Sequence, residues 1–189
     1  ISGDLDKIKF VEYISQKPIG KSSRSNPVTY IKAYDEIRKL FAFSRESKLR
    51  NYKPKHFSFN VEGGRCNQCK GEGTNTIEMQ FMPDITLPCE NCDGKRFKNE
   101  ILEIRLHNKN IADILELTVD NAVAFFDEIN ETKISEKLKV LQKVGLGYIK
   151  LGQSSSTLSG GEAQRVKLAF FLSMKNKAKN GLFLFDEPT

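Results

Sequence analysis

The chain has 189 residues, of which 39% are hydrophobic and 29% are charged. This length suffices for one core, or for one core with a small inserted module, and the composition is ordinary for a globular protein. No apolar run approaches the roughly 20 residues that a membrane-spanning helix needs, and no signal peptide opens the chain, so we expect a cytoplasmic location.

The net charge of +6 comes from the first third of the chain. Residues 1–65 hold 14 of the 30 lysines and arginines but only 7 of the 24 acidic residues. Such an excess favours an anionic partner, most often nucleic acid, and within it we select Lys21 and Arg24 as candidate DNA contacts. Charge alone fits a solvated, lysine-rich surface equally well.

The first predicted elements in chain order are a strand over residues 8–14, a polar loop over residues 16–27 and a helix. Asn26 and Pro27 are typical of the cap and the first turn of that helix. Its apolar face is predicted from residues at helical spacing, namely Tyr30, Ala33, Tyr34, Ile37, Leu40 and Phe41.

Alternating apolar residues then predict three strands, over residues 57–61, 77–81 and 102–106. A helix is predicted from Thr118 through Phe126. A further helix is predicted from about Ser135 to Val144, because Gly145 can end it in the left-handed conformation.

All four cysteines lie in two Cys-x-x-Cys units separated by 19 residues, Cys66–Cys69 and Cys89–Cys92. In a cytosolic chain this pattern favours a metal over disulfides. Two such turns supply a closed tetrahedral site of four thiolates, which is typical of structural zinc, and the zinc would organise the intervening hairpin. A redox dithiol or an iron–sulfur cluster is the alternative. Glycines with positive φ are expected to turn the chain back beneath the metal, namely Gly71, Gly73 and Gly94.

Basic residues accompany the cysteines and could contact DNA phosphates. They are Arg65, Lys70, Lys95, Arg96 and Lys98. A surface that docks another protein is the alternative interpretation of the same residues.

Residues 158–165 (Leu-Ser-Gly-Gly-Glu-Ala-Gln-Arg) precede a helical apolar pattern. A Ser-Gly-Gly turn at a helix N-terminus offers free amides, a hydroxyl and the positive end of the helix dipole, which together can bind a phosphate. Ser159 and Glu162 also fit a capping box, so helix capping alone is the alternative.

Residues 182–189 (Leu-Phe-Leu-Phe-Asp-Glu-Pro-Thr) begin with four apolar residues that predict a buried parallel strand. Asp186 and Glu187 follow at its carboxyl end, where α/β sheets bind ligands. One carboxylate can hold Mg²⁺ through water while the other orients the attacking water. Two acids that merely cap a loop are the alternative.

A phosphate-binding loop of the GxxxxGK[ST] type is absent from the sequence. Residues 20–22 (Gly-Lys-Ser) match the end of this motif, but Ser15 occupies the position of its first glycine and Pro18 lies within it.

Residues 158–165 and 182–189 resemble the signature motif and the Walker B strand of ABC-type ATPases, and Gln16 lies in a segment that resembles their Q-loop. A four-cysteine module between the Q-loop and the signature resembles the UvrA family, the damage-recognition ATPases of bacterial nucleotide excision repair, in their C-terminal nucleotide-binding half. Residues 19–30, 61–66 and 156–167 also carry this resemblance.

The resemblance implies an α/β (α+β) fold, part of an ABC-type ATPase domain with an inserted C4 zinc-binding module. Three segments are expected. Residues 1–55 would hold the Q-loop and a basic helical region, residues 56–106 the zinc module, and residues 107–189 the signature region through the Walker B strand.

The resemblance also implies roles for individual residues. The catalytic residues would be Glu187, Asp186 and Gln16; the ATP contacts Ser159, Gly160, Gly161 and Gln164; and the zinc ligands Cys66, Cys69, Cys89 and Cys92. The implied cofactors are structural Zn²⁺ and ATP with Mg²⁺. The implied partners are damaged double-stranded DNA, UvrB and a second copy of the protein, whose ATP site the signature turn would complete.

The ends of the chain predict a fragment, because Ile1 is not an initiator methionine and the Walker B motif ends at Thr189. With the phosphate-binding loop expected before Ile1, the segment alone is predicted not to hydrolyse ATP.

Two other classes of protein share some of these features. DnaJ-type co-chaperones carry four Cys-x-x-Cys-x-Gly-x-Gly repeats, and Rad50-like ATPases carry a long coiled coil in place of the cysteine module.

Overall fold

The computed structural model describes residues 8–20, 22, 24–174 and 181–186. The chain forms two compact units: Ile1–Ala33 with Leu117–Thr189, and Tyr34–Glu116. The second unit is therefore inserted, in sequence, between the two segments of the first. Within the described residues, no helix combines the length and the apolar character that crossing a membrane requires.

The described elements mix helices and strands, as predicted. The helices are α1 (Pro27–Tyr30), α2 (Tyr34–Phe43), α3 (Arg45–Leu49), α4 (Asn99–Leu102), α5 (Ile111–Glu116), α6 (Val119–Glu128), α7 (Thr132–Lys143) and α8 (Gly160–Ser173). The strands are β1 (Phe10–Ile14), β2 (Thr74–Ile77), β3 (Ile85–Pro88) and β4 (Gly181–Phe185).

In the first unit, β1 and β4 pair in parallel, with Phe10 opposite Gly181 and Ile14 opposite Phe185. Both predicted strands are therefore confirmed, although β4 is not buried as predicted. Leu182 is 38% exposed and Leu184 is 47% exposed. The reason is that, among the described residues, β4 pairs only with β1 and contributes to a sheet of two strands.

The helix α6 forms where the sequence predicts it, and α7 begins three residues earlier than predicted, at Thr132. The Thr118 side chain caps α6 by accepting a hydrogen bond from the Asn121 amide at 3.2 Å. Gly145, with φ of 75°, follows the end of α7 in the left-handed conformation that was predicted for it. Leu138 and Leu141 are fully buried on the apolar face of α7.

The predicted continuous helix from Pro27 to Phe41 is wrong, although its beginning is right. The Asn26 side chain accepts from the Thr29 amide at 3.0 Å and caps α1, which has Pro27 in its first turn. The helix stops at Tyr30 because Lys32 is left-handed, with φ of 57°. The break lies where the chain passes from the first unit to the second, so α1 and α2 are buried in different cores.

In the second unit, two of the three predicted strands are wrong. Residues 54–57 form a 3-10 turn and residues 99–102 form α4. The apolar alternation there reflects burial of Phe57, Phe59 and Ile104 in irregular backbone rather than a pleated strand. The remaining strand prediction is right only at Ile77, which ends β2, and β2 pairs antiparallel with β3 in the hairpin expected between the cysteine units.

Candidate functional sites: a cysteine cluster and a helix N-terminus

The four cysteines converge in the second unit. All four are buried, and their sulfur atoms lie within 4.8 Å of one another. The sulfurs of Cys66 and Cys89 are 3.9 Å apart, and those of Cys69 and Cys92 are 3.7 Å apart. These separations exclude disulfides, whose sulfurs are about 2 Å apart.

The cluster has the dimensions of a metal site. Four thiolates about 2.3 Å from a tetrahedral zinc ion lie roughly 3.8 Å from one another, which matches the observed separations. The residues therefore fit the ion that the sequence pattern predicts. The chain could hold one metal ion here through sulfur alone.

Hydrogen bonds to the sulfurs lower the pKa of one thiol in the cluster, whereas burial raises the pKa of the Cys69 and Cys92 thiols. The Asn91 side-chain amide donates to Cys66 Sγ at 3.3 Å, and the Gly73 amide donates to Cys69 Sγ at 3.3 Å. Burial raises the pKa of the Cys66 thiol, but hydrogen bonds from Asn91 and from backbone amides outweigh this effect and lower the pKa to about 6. Asn91 was not among the predicted site residues, although its position between Cys89 and Cys92 was a signal.

The three glycines that follow the cysteine pairs are all left-handed, as predicted. Their φ values are 88° at Gly71, 81° at Gly73 and 75° at Gly94. At Gly71 a side chain is excluded for a second reason, because a β-carbon there would lie 1.9 Å from the Phe59 carbonyl oxygen.

The predicted DNA contacts beside the cysteines differ in their surroundings. Lys70 and Lys95 are exposed, and Lys95 lies 3.9 Å from the Asp93 carboxylate. Arg65 pairs with Glu62 at 3.4 Å and donates to the Asn60 carbonyl.

Arg96 is half-buried. Its guanidinium lies over the Phe59 ring, 5.3 Å from the centroid, and burial lowers its pKa. These contacts indicate a packing role for Arg96 within the second unit.

A cleft of about 420 Å³ lies beside the first cysteine pair. It is lined by Glu62, Gly63, Arg65, Asn67, Lys70 and Lys98. Three of its four ionisable side chains are cationic, so the cleft suits an anionic group.

In the first unit, the Ser-Gly-Gly turn lies at the N-terminus of α8, as predicted. Ser159 caps the helix by accepting from the Glu162 amide at 3.2 Å, and Glu162 accepts from the Ser159 amide at 2.8 Å. This is a complete capping box, so the turn is held in place by its own helix. Ser159 is exposed at the positive end of a 14-residue helix.

Tyr148 supports this turn from outside the motif. Its hydroxyl donates to Glu162 Oε1 at 2.6 Å, while the other carboxylate oxygen holds the Ser159 amide. The Tyr148 bond, followed by the Ser159 bond, lowers the pKa of Glu162 below its usual value. No sequence signal marks Tyr148, because it lies 14 residues before Glu162 in a loop.

Gln16 and the signature turn are brought together in the structure. Gln16 follows β1, and a β-carbon built on Gly160 would lie 2.5 Å from Gln16 Oε1. Asp186 follows β4 at the same end of the parallel pair, since Ile14 lies opposite Phe185. The predicted catalytic residues Gln16 and Asp186 therefore lie at the carboxyl ends of adjacent strands.

Gln164 binds backbone in this structure. Its side chain is buried, and the amide nitrogen donates to the carbonyl oxygens of Ile14, at 3.2 Å, and of Asp186. Gln164 thus joins α8 to the ends of both strands.

Lys167, which sequence reasoning missed, binds the segment that contains Gln16. Its ammonium donates to the carbonyl oxygens of Ser15 at 2.8 Å and of Lys17 at 2.7 Å. It lies 152 residues from Ser15 in the chain, so no local pattern could have revealed the contact.

Two predicted site residues, Lys21 and Glu187, lie outside the residues that the structure describes. Arg24 is described and half-buried, and its amide donates to the Ser22 hydroxyl at 3.2 Å. Residues 24–26 form no helix after the Gly20–Ser22 sequence, which agrees with its rejection as a phosphate-binding loop.

The sequence has clear relatives among curated proteins. It is 54% identical over 193 residues to UvrABC system protein A of Aquifex aeolicus (strain VF5), which covers 99% of this chain and 20% of that protein. It is 52% identical over 185 residues to UvrABC system protein A of Staphylococcus aureus (strain COL), covering 98% of this chain and 19% of that protein. The chain spans about a fifth of the length of the curated relatives it matches. No protein-family model matches it.

A solved structure resembles the whole chain. The crystal structure of UvrA2 from Deinococcus radiodurans matches with a TM-score of 0.92 and 47% sequence identity, over 100% of this chain and 23% of that chain. The predicted mixed α/β fold is thereby confirmed. Neither a DnaJ-type co-chaperone nor a Rad50-like ATPase is needed to explain the cysteine module.

Proposed function

Because the chain belongs to the UvrA family and corresponds to a segment of such a protein, we propose that it is the signature and zinc-module region of a nucleotide-excision-repair ATPase. The observation that carries the proposal is the meeting of three motifs in the first unit. The Ser159–Gly161 turn begins α8, Gln16 lies against Gly160, and Asp186 follows β4, the strand that pairs with β1.

The ATP chemistry is divided between two sites in this proposal. Ser159 presents its hydroxyl, and Gly160 and Gly161 present the first backbone amides of α8 and the positive end of the helix dipole, to the γ-phosphate of ATP bound at another nucleotide-binding domain. Asp186 would hold Mg²⁺, Gln16 would sense the ion and the nucleotide, and Glu187 would orient the attacking water.

Gln164 contributes indirectly to the ATP site in this proposal. Its two hydrogen bonds hold the strand ends from which Gln16 and Asp186 project. We therefore propose that Gln164 holds the ATP-binding residues in position.

The cysteine cluster holds one structural Zn²⁺ in this proposal. Four buried thiols at tetrahedral spacing leave no open coordination position for a substrate. The ion fixes both cysteine turns, between which the β2–β3 hairpin extends.

The second unit presents cations to DNA. Lys70, Lys95 and the cleft beside Arg65 supply phosphate contacts. Lys21 and Arg24, which belong to the first unit, are separate candidate contacts. The intact protein would act as a homodimer in the cytoplasm, bind damaged double-stranded DNA and transfer it to UvrB.

A charge substitution at Ser159 separates phosphate binding from helix capping. Aspartate is as good a helix cap as serine, so Ser159→Asp leaves α8 stable but places a carboxylate against the γ-phosphate. In an intact UvrA-family protein with this segment, we expect ATP turnover to fall at least about 100-fold, as it does when an oxyanion-binding donor is lost.

The control for this experiment is Ser156→Asp, which adds the same charge at an exposed position three residues earlier. It should leave turnover near the wild-type value. Equal turnover of Ser159→Asp and wild type would contradict the proposed role of the turn. The segment alone is expected to show negligible turnover, whatever residue stands at position 159.

The zinc assignment has its own measurement. Elemental analysis of protein purified under reducing conditions should find about one zinc ion per cluster of four cysteines. Protein without bound metal, or protein with iron and inorganic sulfide, would contradict it.

A further inference from the structure

One face of α8 is directed at the segment that carries Gln16. Gly160, Gln164 and Lys167 lie at positions i, i+4 and i+7, and such positions share one side of a helix. Each contacts a different part of the strand end and the loop that follows it. The helix therefore contacts residues 14–17 over two turns.

Lys167 makes the most extensive of these contacts. Its ammonium donates to the carbonyl oxygens of Ser15 and Lys17 and lies 3.3 Å from the Ser15 hydroxyl. An ammonium has three hydrogens, so these three oxygens match its donor capacity. The Lys167 side chain is half-buried. This burial, followed by the nearby Lys17 ammonium, lowers the pKa of Lys167.

The two carbonyls bound by Lys167 flank Gln16. The Ser15 carbonyl belongs to the peptide group that joins Ser15 to Gln16, so rotation of that group toward or away from a nucleotide must change its hydrogen bond to Lys167. Bonds from an ammonium are stronger than those between neutral groups, so they resist such a movement.

The Ser159 turn begins the same helix, about two turns before Lys167. An α-helix transmits displacement along its axis as a nearly rigid body, and Lys167 lies about 12 Å from Ser159 at 1.5 Å per residue. A change at Ser15–Lys17 is thus passed to the turn that contacts the second ATP.

We propose that Lys167 is a positioning residue that couples the Gln16 loop to the Ser159–Gly161 turn within one subunit, so that occupancy of one ATP site adjusts the turn that completes the other. The inference rests on the proposed ATPase function. Gln164 strengthens the coupling by joining the same helix to both strand ends.

The test compares three variants in an intact UvrA-family protein that carries this segment. Lys167→Met keeps the length of the side chain but removes its donors. Lys167→Arg keeps the charge and can donate to the same carbonyls. Lys143→Met is the matched control, because Lys143 is an exposed lysine on the neighbouring helix α7.

Steady-state kinetics give the first readout. We expect Lys167→Met to lower kcat for ATP about tenfold with KM unchanged, because residues that carry coupling shift it by that order. Lys167→Arg should recover most of the turnover, and Lys143→Met should match wild type. Equal kcat for Lys167→Met and wild type overturns the inference, as does a loss that appears only as a raised KM.

Amide hydrogen exchange without nucleotide gives a second readout that does not depend on turnover. In Lys167→Met, exchange should become faster both at residues 15–17 and at residues 159–163, while exchange in α7 stays unchanged. Faster exchange at residues 15–17 alone would show a local contact without coupling and would overturn the inference. If the wild-type protein does not hydrolyse ATP, the proposed function fails, and the exchange pattern still decides whether Lys167 couples the two segments.

Discussion

At the scale of single residues, Glu162 makes the stability of α8 depend on pH. The Tyr148 hydroxyl and the Ser159 amide both donate to its carboxylate, and these bonds lower its pKa below the usual value of 4.5. A lowered pKa means that the stabilisation is complete above the unfolded-state value and is lost as the pH falls through the folded-state value.

We therefore expect acid to destabilise the wild-type protein more than the variant Glu162→Gln. Glutamine preserves the capping box but does not titrate. The difference between the two proteins at neutral pH should be at most about 1 kcal/mol, because the pair is partly exposed. Thermal unfolding followed from neutral pH downward gives the measurement, and parallel pH profiles for the two proteins would contradict the expectation.

The Asn91 side chain forms a hydrogen bond with one of the clustered sulfurs. Its amide donates to Cys66 Sγ, and groups that hydrogen-bond metal ligands commonly change metal affinity by about 10- to 100-fold. We expect Asn91→Ala to weaken zinc binding about tenfold without abolishing it. Competition with a chromophoric chelator under reducing conditions provides the affinity.

The control for Asn91 is Asn67→Ala. Asn67 is exposed and occupies the first cysteine pair, between Cys66 and Cys69. Its removal should leave the zinc affinity unchanged. Equal losses in both variants would show that the effect comes from the turns in general rather than from the bond to Cys66.

At the scale of elements, glycine is needed in the cysteine turns for two reasons, the left-handed backbone and the lack of space for a side chain. Gly71 and Gly94 have similar left-handed φ values, but a β-carbon would lie 1.9 Å from the Phe59 oxygen at Gly71 and 3.8 Å from the Gly73 oxygen at Gly94. Gly94→Ala should therefore cost about 1 kcal/mol, the cost of the left-handed conformation alone.

Gly71→Ala should cost more than about 3 kcal/mol, since the backbone must also move to relieve the contact. Chemical denaturation of both variants with saturating zinc measures the difference. The same loss of stability in the two variants would show that conformation alone, and not space, selects glycine at position 71.

Elements whose signals are local were predicted from the sequence. Asn26 and Pro27 specify the beginning of α1, Thr118 that of α6, and Ser159 that of α8, because each cap binds an amide only a few residues away. The predicted strand over residues 57–61 failed for the opposite reason. Phe57 and Phe59 are buried by tertiary packing, and a period of two in burial does not require strand pairing.

At the scale of the whole molecule, exposed basic residues are expected to set how strongly DNA binding depends on salt. If Lys70 and Lys95 contact phosphates, each substitution by alanine should reduce the slope of log affinity against log salt by about one for a DNA duplex. Fluorescence anisotropy of a labelled duplex at a series of salt concentrations measures the slope.

Arg96 is the internal control for this experiment. Its guanidinium packs over Phe59, so Arg96→Ala should lower the thermal stability and leave the salt slope unchanged. A slope reduced equally by Arg96→Ala and Lys70→Ala would contradict this division of roles.

The sequence by itself predicted the resemblance to the UvrA family, the four cysteines of the candidate metal site and the position of the signature turn. These depend on residue types at fixed short spacings, because a cysteine turn or a helix cap is built from neighbours in the chain. The tertiary structure decided which atoms those motifs meet. Only the fold brings Lys167 to Ser15 and Gln164 to Ile14 and Asp186, since these contacts join residues that are far apart in the chain and leave no periodic pattern.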